Sequence, residues 1–449
     1  MTRSDGETID VDVAIVGAGV AGLAALRALT DAGLSVRLLE ARDRIGGRIY
    51  TIHDERLPHA IELGAEFIHG SAPELVEIAK HARLAPVTIE GERWQRQGGR
   101  LMRAHDFWGE LHKVMRYLPE DGPDESFADF LERTPGGAKA GQARVLSKQF
   151  VEGFHAAETE KISAKALAEG GAPSEDPEEQ RLMRIPSGYD GVSRWLAGGL
   201  ESRIKFETVV ELIEWERGAV RIAARARSGG SVSIRARAAI VTAPLATLFA
   251  PQGEPGVIEW QPVPPVIEQM RSKLTMGSVQ RVVVLFRERW WSERLSSLPK
   301  GASLENLSFL HGETPDYPIW WTLHPAHVPA MVGWAGGPAA RRLAGKLHEE
   351  KRDRAIGALA KNLGVTRRRV EAQVVELWTH DWDADPFARG AYSYSVVGGA
   401  NAAARFARGV ESTLWFAGEA ADAEGRNGTV NGAIGSGRAA AKAVAKALA

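Results

Sequence analysis

Val11-Asp12-Val13-Ala14-Ile15-Val16-Gly17-Ala18-Gly19-Val20-Ala21-Gly22 decides how this chain is read. Its first six residues form a short, mostly apolar run ending at glycine, the pattern of a parallel strand buried on both faces. Leu23, Leu26 and Leu29 then recur at helical spacing, Gly33 stops the helix, and Ser35 to Glu40 reads as a second strand. Strand, G-x-G-x-x-G, helix, strand and acid together predict a dinucleotide-binding unit. Gly17 makes the turn. Gly19, flanked by Ala18, Val20 and Ala21, lets a pyrophosphate touch amides at the positive helix end, and Gly22 lets the helix pack on the strand. Glu40 stands where a carboxylate accepts from the hydroxyls of an adenosine ribose. A tight strand-to-helix turn would account for the glycines alone, but the next segment is harder to dismiss. In Ala41-Arg42-Asp43-Arg44-Ile45-Gly46-Gly47-Arg48, two glycines sit between guanidinium groups, and such a stretch can wrap a diphosphate.

Glycine is in excess, with 48 of 449 residues. Glycine is costly to order unless backbone must turn sharply or approach something closely, so a ligand held against backbone is expected. The length suits two or three domains. A net charge of -1, with basic residues dispersed, argues against nucleic-acid binding. Arg367-Arg368-Arg369 reads as a solvated helix start. The chain has no cysteine, which removes disulfides, thiolate metal sites and cysteine-linked cofactors. No G-x-S-x-G elbow or H-E-x-x-H pair is present, and His324-Pro325-Ala326-His327 reads as a surface loop rather than a metal site. No apolar stretch approaches the ~18 residues of a membrane span, and the polar amino-terminal residues carry no signal core. A cytoplasmic protein, monomer or homodimer, is expected.

Over nearly its whole length the sequence resembles the flavin-containing amine oxidases, the family of monoamine oxidases, polyamine oxidases and lysine-specific histone demethylases. Beyond the first unit, Leu63-Gly64-Ala65-Glu66-Phe67-Ile68-His69-Gly70 resembles the segment that passes the flavin ring. Val210, within Glu207 to Ile213, resembles the valine that meets the adenine. Ala239 to Pro244 resembles the returning strand. Leu414 to Glu419, with Gly418, followed by Arg426-Asn427-Gly428-Thr429-Val430-Asn431-Gly432-Ala433, resembles the strand and helix start that face the flavin pyrimidine. A helix beginning near Thr429 would aim its positive end there. The resemblance implies an α/β fold, α+β overall: a Rossmann-like FAD-binding domain of glutathione-reductase type with an interleaved substrate-binding domain. The FAD parts are expected at 1–75, 186–257 and 386–449, and the substrate domain at 76–185 and 258–385. Asp121-Gly122-Pro123-Asp124, Thr134-Pro135-Gly136-Gly137 and Pro173-Ser174-Glu175-Asp176-Pro177 read as turns or loops within the latter.

The chemistry so implied is hydride transfer from the amine-bearing carbon to flavin N5, hydrolysis of the imine, and reoxidation by dioxygen with release of hydrogen peroxide. Tyr392 is expected beside the flavin with Trp382 close by, an aromatic wall suited to a neutral amine. In Tyr392-Ser393-Tyr394 the strand period places both tyrosines on one face. Core packing would explain the same pattern. Where monoamine oxidases attach flavin to a cysteine, this chain has Ala391, so FAD is expected to be non-covalent. Where they close their cage with a second tyrosine, it has Thr429. Thr429-Val430 and Ile68-His69-Gly70 look more like the polyamine oxidase branch, which makes His69 a further site candidate. Arg281 stands where the family usually has a lysine that holds a water near N5. It could hold that water, bind a substrate carboxylate as an L-amino-acid oxidase would, or pair structurally with an acid. Two other classes stay open. The tryptophans, twelve of thirteen of which fall between Trp94 and Trp382, could line the apolar slot of a desaturase, isomerase or porphyrinogen-type oxidase. A non-catalytic flavoprotein would tolerate the change at Arg281.

Overall fold

The computed structural model describes residues 7–104, 107–134, 141–170, 176–293 and 295–449. The turn expected at residues 134–137 lies outside them except for Thr134, as does that at 173–177 except for Asp176 and the backbone of Pro177.

The strand Glu7–Val16 forms as its apolar run dictates, with Val13, Ala14 and Ile15 fully buried. It pairs in parallel with Val36–Leu39 on one side and Ser231–Val241 on the other. The helix Val20–Asp31 returns between the first two strands. Its Leu23, Leu26 and Leu29 have no exposed surface, each contributing roughly 1.5–3 kcal/mol by burial. Gly33, at φ +81°, ends it. Ile204–Lys205 extends one edge of this eight-stranded sheet. On the other side Ser231–Val241 forms an antiparallel meander with Ala219–Ala226 and Thr208–Glu216 through its first half. Its last residues, Ala239 to Val241, pair in parallel with Leu414–Phe416. The strand at 239–244 therefore stops at Val241, because Pro244 caps a short helix.

A seven-stranded sheet runs Val374–Thr379, Val279–Phe286, Ala330–Gly336, Ile319–Thr322, Leu307–His311, Glu92–Gln97, Arg100–Arg103. It is antiparallel except where Leu307–His311 and Glu92–Gln97 run side by side. One face packs on the helix His348–Leu363 through Trp94, Trp290, Trp291 and Trp320, so these tryptophans fill core. The opposite face looks into a cavity. The helices Phe107–Met115 and Gly141–Phe154 close that cavity from the side. Thr366 caps the helix Arg367–Glu371, as the triple arginine suggested.

Candidate active site

One continuous cavity of about 970 Å³ runs from the glycine turn of the first sheet to the inner face of the second. This is at the top of the ~300–1,000 Å³ range of ligand and cofactor sites. At the first end the strand Glu7–Val16 stops, Gly17 turns at φ +99°, and Gly19 opens the helix. A Cβ on Gly17 would lie 2.7 Å from the Thr242 hydroxyl, and one on Gly22 only 1.9 Å from the Gly17 carbonyl. A Cβ on Gly19 would meet nothing within 4 Å. Gly17 and Gly22 are therefore glycine for packing, whereas at Gly19 the open side is the cavity. No acid occupies the first turn of that helix, which leaves its positive end for an anion. Gly46 bridges to Gly19, and a Cβ on Gly47 would come within 3.3 Å of the Gly19 Cα.

Glu40 closes the second strand. Its carboxylate accepts from the Ala18 amide at 2.7 Å and the Arg42 amide at 2.9 Å, while burial raises it against both bonds. Ala41 and Val210 line the same end, the latter at a β-bulge. The guanidinium groups are already engaged. Arg42 pairs with Asp385 at 2.6 Å, and Arg48 with Glu419 and the Ala391 carbonyl, both at 2.8 Å. Glu419 also accepts from the Ser393 hydroxyl and the Gly428 amide, so one carboxylate ties three segments at the cavity wall.

Thr429 caps the helix Val430–Leu448. Its hydroxyl accepts from the Gly432 amide at 2.9 Å and donates to the Arg426 carbonyl at 2.7 Å. The start of the helix, through Thr429, Val430 and Asn431, lines the cavity beside Gly418 and Tyr392. No acid lies in its first turn.

Gly64, Ala65, Glu66 and Phe67 form the middle of the wall. Gly64 must be glycine, since a Cβ would sit 1.9 Å from the Arg48 carbonyl. Trp382 is buried, its indole N–H donating to the Leu63 carbonyl at 2.9 Å. Tyr392 donates to the Phe154 carbonyl at 2.6 Å, and Tyr394 reaches the wall from the same side. Arg281 donates to the Gly64 carbonyl at 2.9 Å and forms an ion pair with Glu66. Glu66 also lies 3.3 Å from Arg184 and accepts from the Trp321 indole. Burial alone would raise the Glu66 carboxyl, but Arg281 and Arg184 hold it below the usual range. Two of the Arg281 nitrogens are thus engaged by protein, the arrangement expected of a structural ion pair, while its Nε has no partner. His69 lines the cavity and is open to it.

Every one of the expected residues therefore reaches this cavity except Ala18 and Gly22. Those two stand behind its wall, with the Ala18 amide turned to Glu40. The glycine cradle, two helix starts free of acid, and a buried ribose-side carboxylate fit a flavin dinucleotide.

A model of flavin-containing amine oxidoreductases matches residues 20–445. The chain belongs to this family. FAD is accordingly its cofactor, and it is an oxidoreductase acting on amine donors. It is 27% identical to polyamine oxidase 4 of Oryza sativa subsp. japonica, over 96% of this chain and 87% of that protein. It is 24% identical to flavin-containing amine oxidase B of Homo sapiens, over 97% and 86%. Among solved structures it resembles putrescine oxidase bound to putrescine, with TM-score 0.79, 22% identity and 97% and 99% coverage. It likewise resembles cyclohexylamine oxidase from Brevibacterium oxydans IH-35A, with TM-score 0.78, 23% identity and 98% and 99% coverage.

The inner face of the second sheet lines the rest of the cavity, and most of it escapes the sequence reading. Trp321, Trp334, Phe309, His311 and Arg93 all project from it into the cavity. Phe150, Phe154 and His155 face them from the helix Gly141–Phe154 and the residue after it. Burial lowers His155 and His311 to about 4. A signal existed in Ser308-Phe309-Leu310-His311 and in Ile319-Trp320-Trp321, where alternate residues face opposite sides. What it lacked was any sign that the second side faced a ligand. Trp108, Trp321, Trp334 and Trp382 line the cavity together with polar His69, Gln149 and His311, which is unlike an unbroken apolar slot.

Proposed function

We propose that this FAD-dependent amine oxidase takes an amine with its nitrogen-bearing carbon between Trp382 and Tyr392, with the flavin bound non-covalently along the glycine cradle. The supporting observation is that the aromatic wall and the dinucleotide cradle belong to one cavity. FAD supplies the two-electron acceptor for the hydride leaving the amine-bearing carbon, and dioxygen is the proposed final oxidant. The protein's part is to bind, orient and exclude water. Trp382 and Tyr392 are held by hydrogen bonds to backbone, so their rings are fixed before substrate enters. An apolar aromatic wall favours the neutral amine over the ammonium ion, which readies the nitrogen lone pair. The amides ahead of Thr429 and Val430 would stabilise negative charge at the flavin edge. His69, which lines the cavity, is placed to offer the substrate a hydrogen bond.

Residues 1–75, 186–257 and 386–449 are proposed as the FAD-binding unit, with 76–185 and 258–385 as the substrate unit. The strand Glu259–Gln261, which pairs with Leu212 to Glu214, supports moving the second boundary a few residues on. Ala391 and the absence of cysteine support the non-covalent flavin. Among the described residues no helix is long and apolar enough to cross a membrane; a cytoplasmic location is a separate proposal.

Mixing the yellow holoenzyme anaerobically with primary and secondary amines is expected to bleach the flavin with at least one of them. Acid precipitation is expected to release all of the flavin into the supernatant. Absence of bleaching across the panel would overturn the amine reading, and flavin retained in the pellet would overturn non-covalent binding.

A further inference from the structure

Resting on the amine reading above, we infer that the substrate carries an anionic group, most simply a carboxylate, at the end remote from its reacting nitrogen, and that Arg93 binds it. Arg93 lies on the strand Glu92–Gln97, directly paired with Phe309 in the neighbouring strand, so the two side chains share the cavity face. Its guanidinium carbon is 4.5 Å from the Phe309 ring centre, 5.6 Å from that of Phe107 and 5.9 Å from that of Trp108. No carboxylate among the described residues pairs with it. Glu92, beside it in sequence, faces the other way to Arg103 and the Trp94 indole. Of the five acids on the cavity wall, Glu66 is engaged by two arginines, Glu419 by Arg48, Glu40 by two amides and Glu152 by Lys148 at 3.7 Å, and none of them, Glu179 included, forms an ion pair with Arg93.

A cation enclosed this way is expensive. Burial brings the guanidinium down to about 10 with no opposing anion to hold it up. Ring faces return only a small part of what an ion loses on leaving water. Neighbouring groups add nothing negative, since His311, stacked on Phe107 with ring centres 5.2 Å apart, is kept neutral by burial and by Arg93 itself. A bound carboxylate would complete the site, because the guanidinium fork matches it bidentately. The same charge would repel the second ammonium of a diamine.

The reach also fits. Arg281 lies 5.5 Å from the Trp321 ring, Trp321 is 6.0 Å from Phe309, and Phe309 borders Arg93. Arg93 therefore stands two rings beyond the Arg281 end. An amine and an acid separated by an extended or aromatic spacer match this series of rings between Arg281 and Arg93.

Two measurements on the holoenzyme test this. First, anaerobic flavin reduction is compared for ω-aminoalkanoates, alkylamines and α,ω-diamines of equal chain length, from about four to twelve carbons. The aminoalkanoate of best length is expected to exceed the matched diamine in kcat/KM by roughly tenfold to a hundredfold, the worth of a charge-assisted fork. Arg93→Met should collapse that ratio, and Arg93→Lys should retain part of it. A diamine preference, or an unchanged ratio in Arg93→Met, would overturn the inference. Second, titration with plain alkanoates, read by tryptophan fluorescence, reports the anion site even if no amine is oxidised. Saturable binding lost in Arg93→Met supports the inference, and binding that is absent or unaltered sinks it. A failure of every amine to bleach flavin, with alkanoate binding intact, would instead count against the proposed reaction alone.

Discussion

Glu66 accepts from Arg281 and stands 3.3 Å from Arg184, and all three side chains are almost wholly buried. The charges do not cancel, since two guanidinium groups answer one carboxylate. Nearby Glu62 does not restore the balance, because burial pushes its carboxyl up to about 8 and keeps it protonated at neutral pH. The two obvious deletions therefore differ in kind. Arg281→Met leaves Glu66 paired with Arg184 in a neutral cluster. Glu66→Gln leaves two buried cations facing each other with no anion. Removing one partner of a buried pair typically costs about 3–5 kcal/mol when a charge is stranded. Glu66→Gln is thus expected to lower unfolding free energy by about 3 kcal/mol or more, and Arg281→Met by clearly less. Denaturant unfolding of the two variants decides it, and equal or reversed losses would show that the cluster is not balanced in this way.

At the scale of elements, two helices meet over the cofactor cradle. Val20–Asp31 starts at Gly19, Val430–Leu448 starts at Thr429, and both ends face the cavity. Their crossing depends on Gly437, where a Cβ would lie 2.2 Å from the Ala21 carbonyl. Backbone cannot yield there without moving one helix start against the other. Gly437→Ala is expected to cost about 1–3 kcal/mol through overpacking. It should also weaken FAD retention on gel filtration, although no side chain near the flavin has changed. A variant that keeps its flavin and its stability would refute the coupling. These elements are also where the sequence was most legible. Helix and strand in the first unit lie within forty residues of each other, and each glycine there has a local reason. The second sheet is different, because Glu92–Gln97 finds its neighbour in Leu307–His311 only across the whole middle of the chain. Arg93 alternates with the core residue Trp94, and on an isolated strand that pattern reads as a solvent-facing arginine. Nothing local says that the far side is a cavity. Tyr392 and Trp382 were legible because a resemblance marked them; Trp321 and Phe154 carried no such mark.

For the whole molecule, burial of neutral groups around the cavity sets how stability follows pH. His155 and His311, both partly buried, are lowered to about 4 from an ordinary 6.5. Below pH 6.5 the unfolded chain takes up protons at these rings while the folded chain refuses them. Their contribution is therefore complete above 6.5 and is lost as pH falls from 6.5 toward 4. Glu62 acts with the opposite sign. Raised to about 8 from 4.5, it keeps its proton in the fold while the unfolded chain ionises, so its contribution declines as pH rises from 4.5 to 8. Carboxylates held low by their partners, Glu66 by Arg281 and Arg184 and Asp385 by His380 and Arg42, matter only below about 4. Burial also lowers His59 and His324 and raises Glu40, Glu152 and Asp383, so lowered imidazoles and raised carboxyls oppose each other across the acid range. The imidazole contributions should show as an acid limb in the thermal midpoint of the holoenzyme below pH 6.5, and Glu62 as a decline toward pH 8. His311→Phe, which keeps a ring stacked on Phe107, should flatten the acid limb by an amount on the order of 1 kcal/mol between pH 6.5 and 5. Melting curves of both proteins across pH 4.5 to 8.5 measure this directly, and an acid limb of unchanged slope in the variant would mean that His311 already exchanges protons with water in the folded protein.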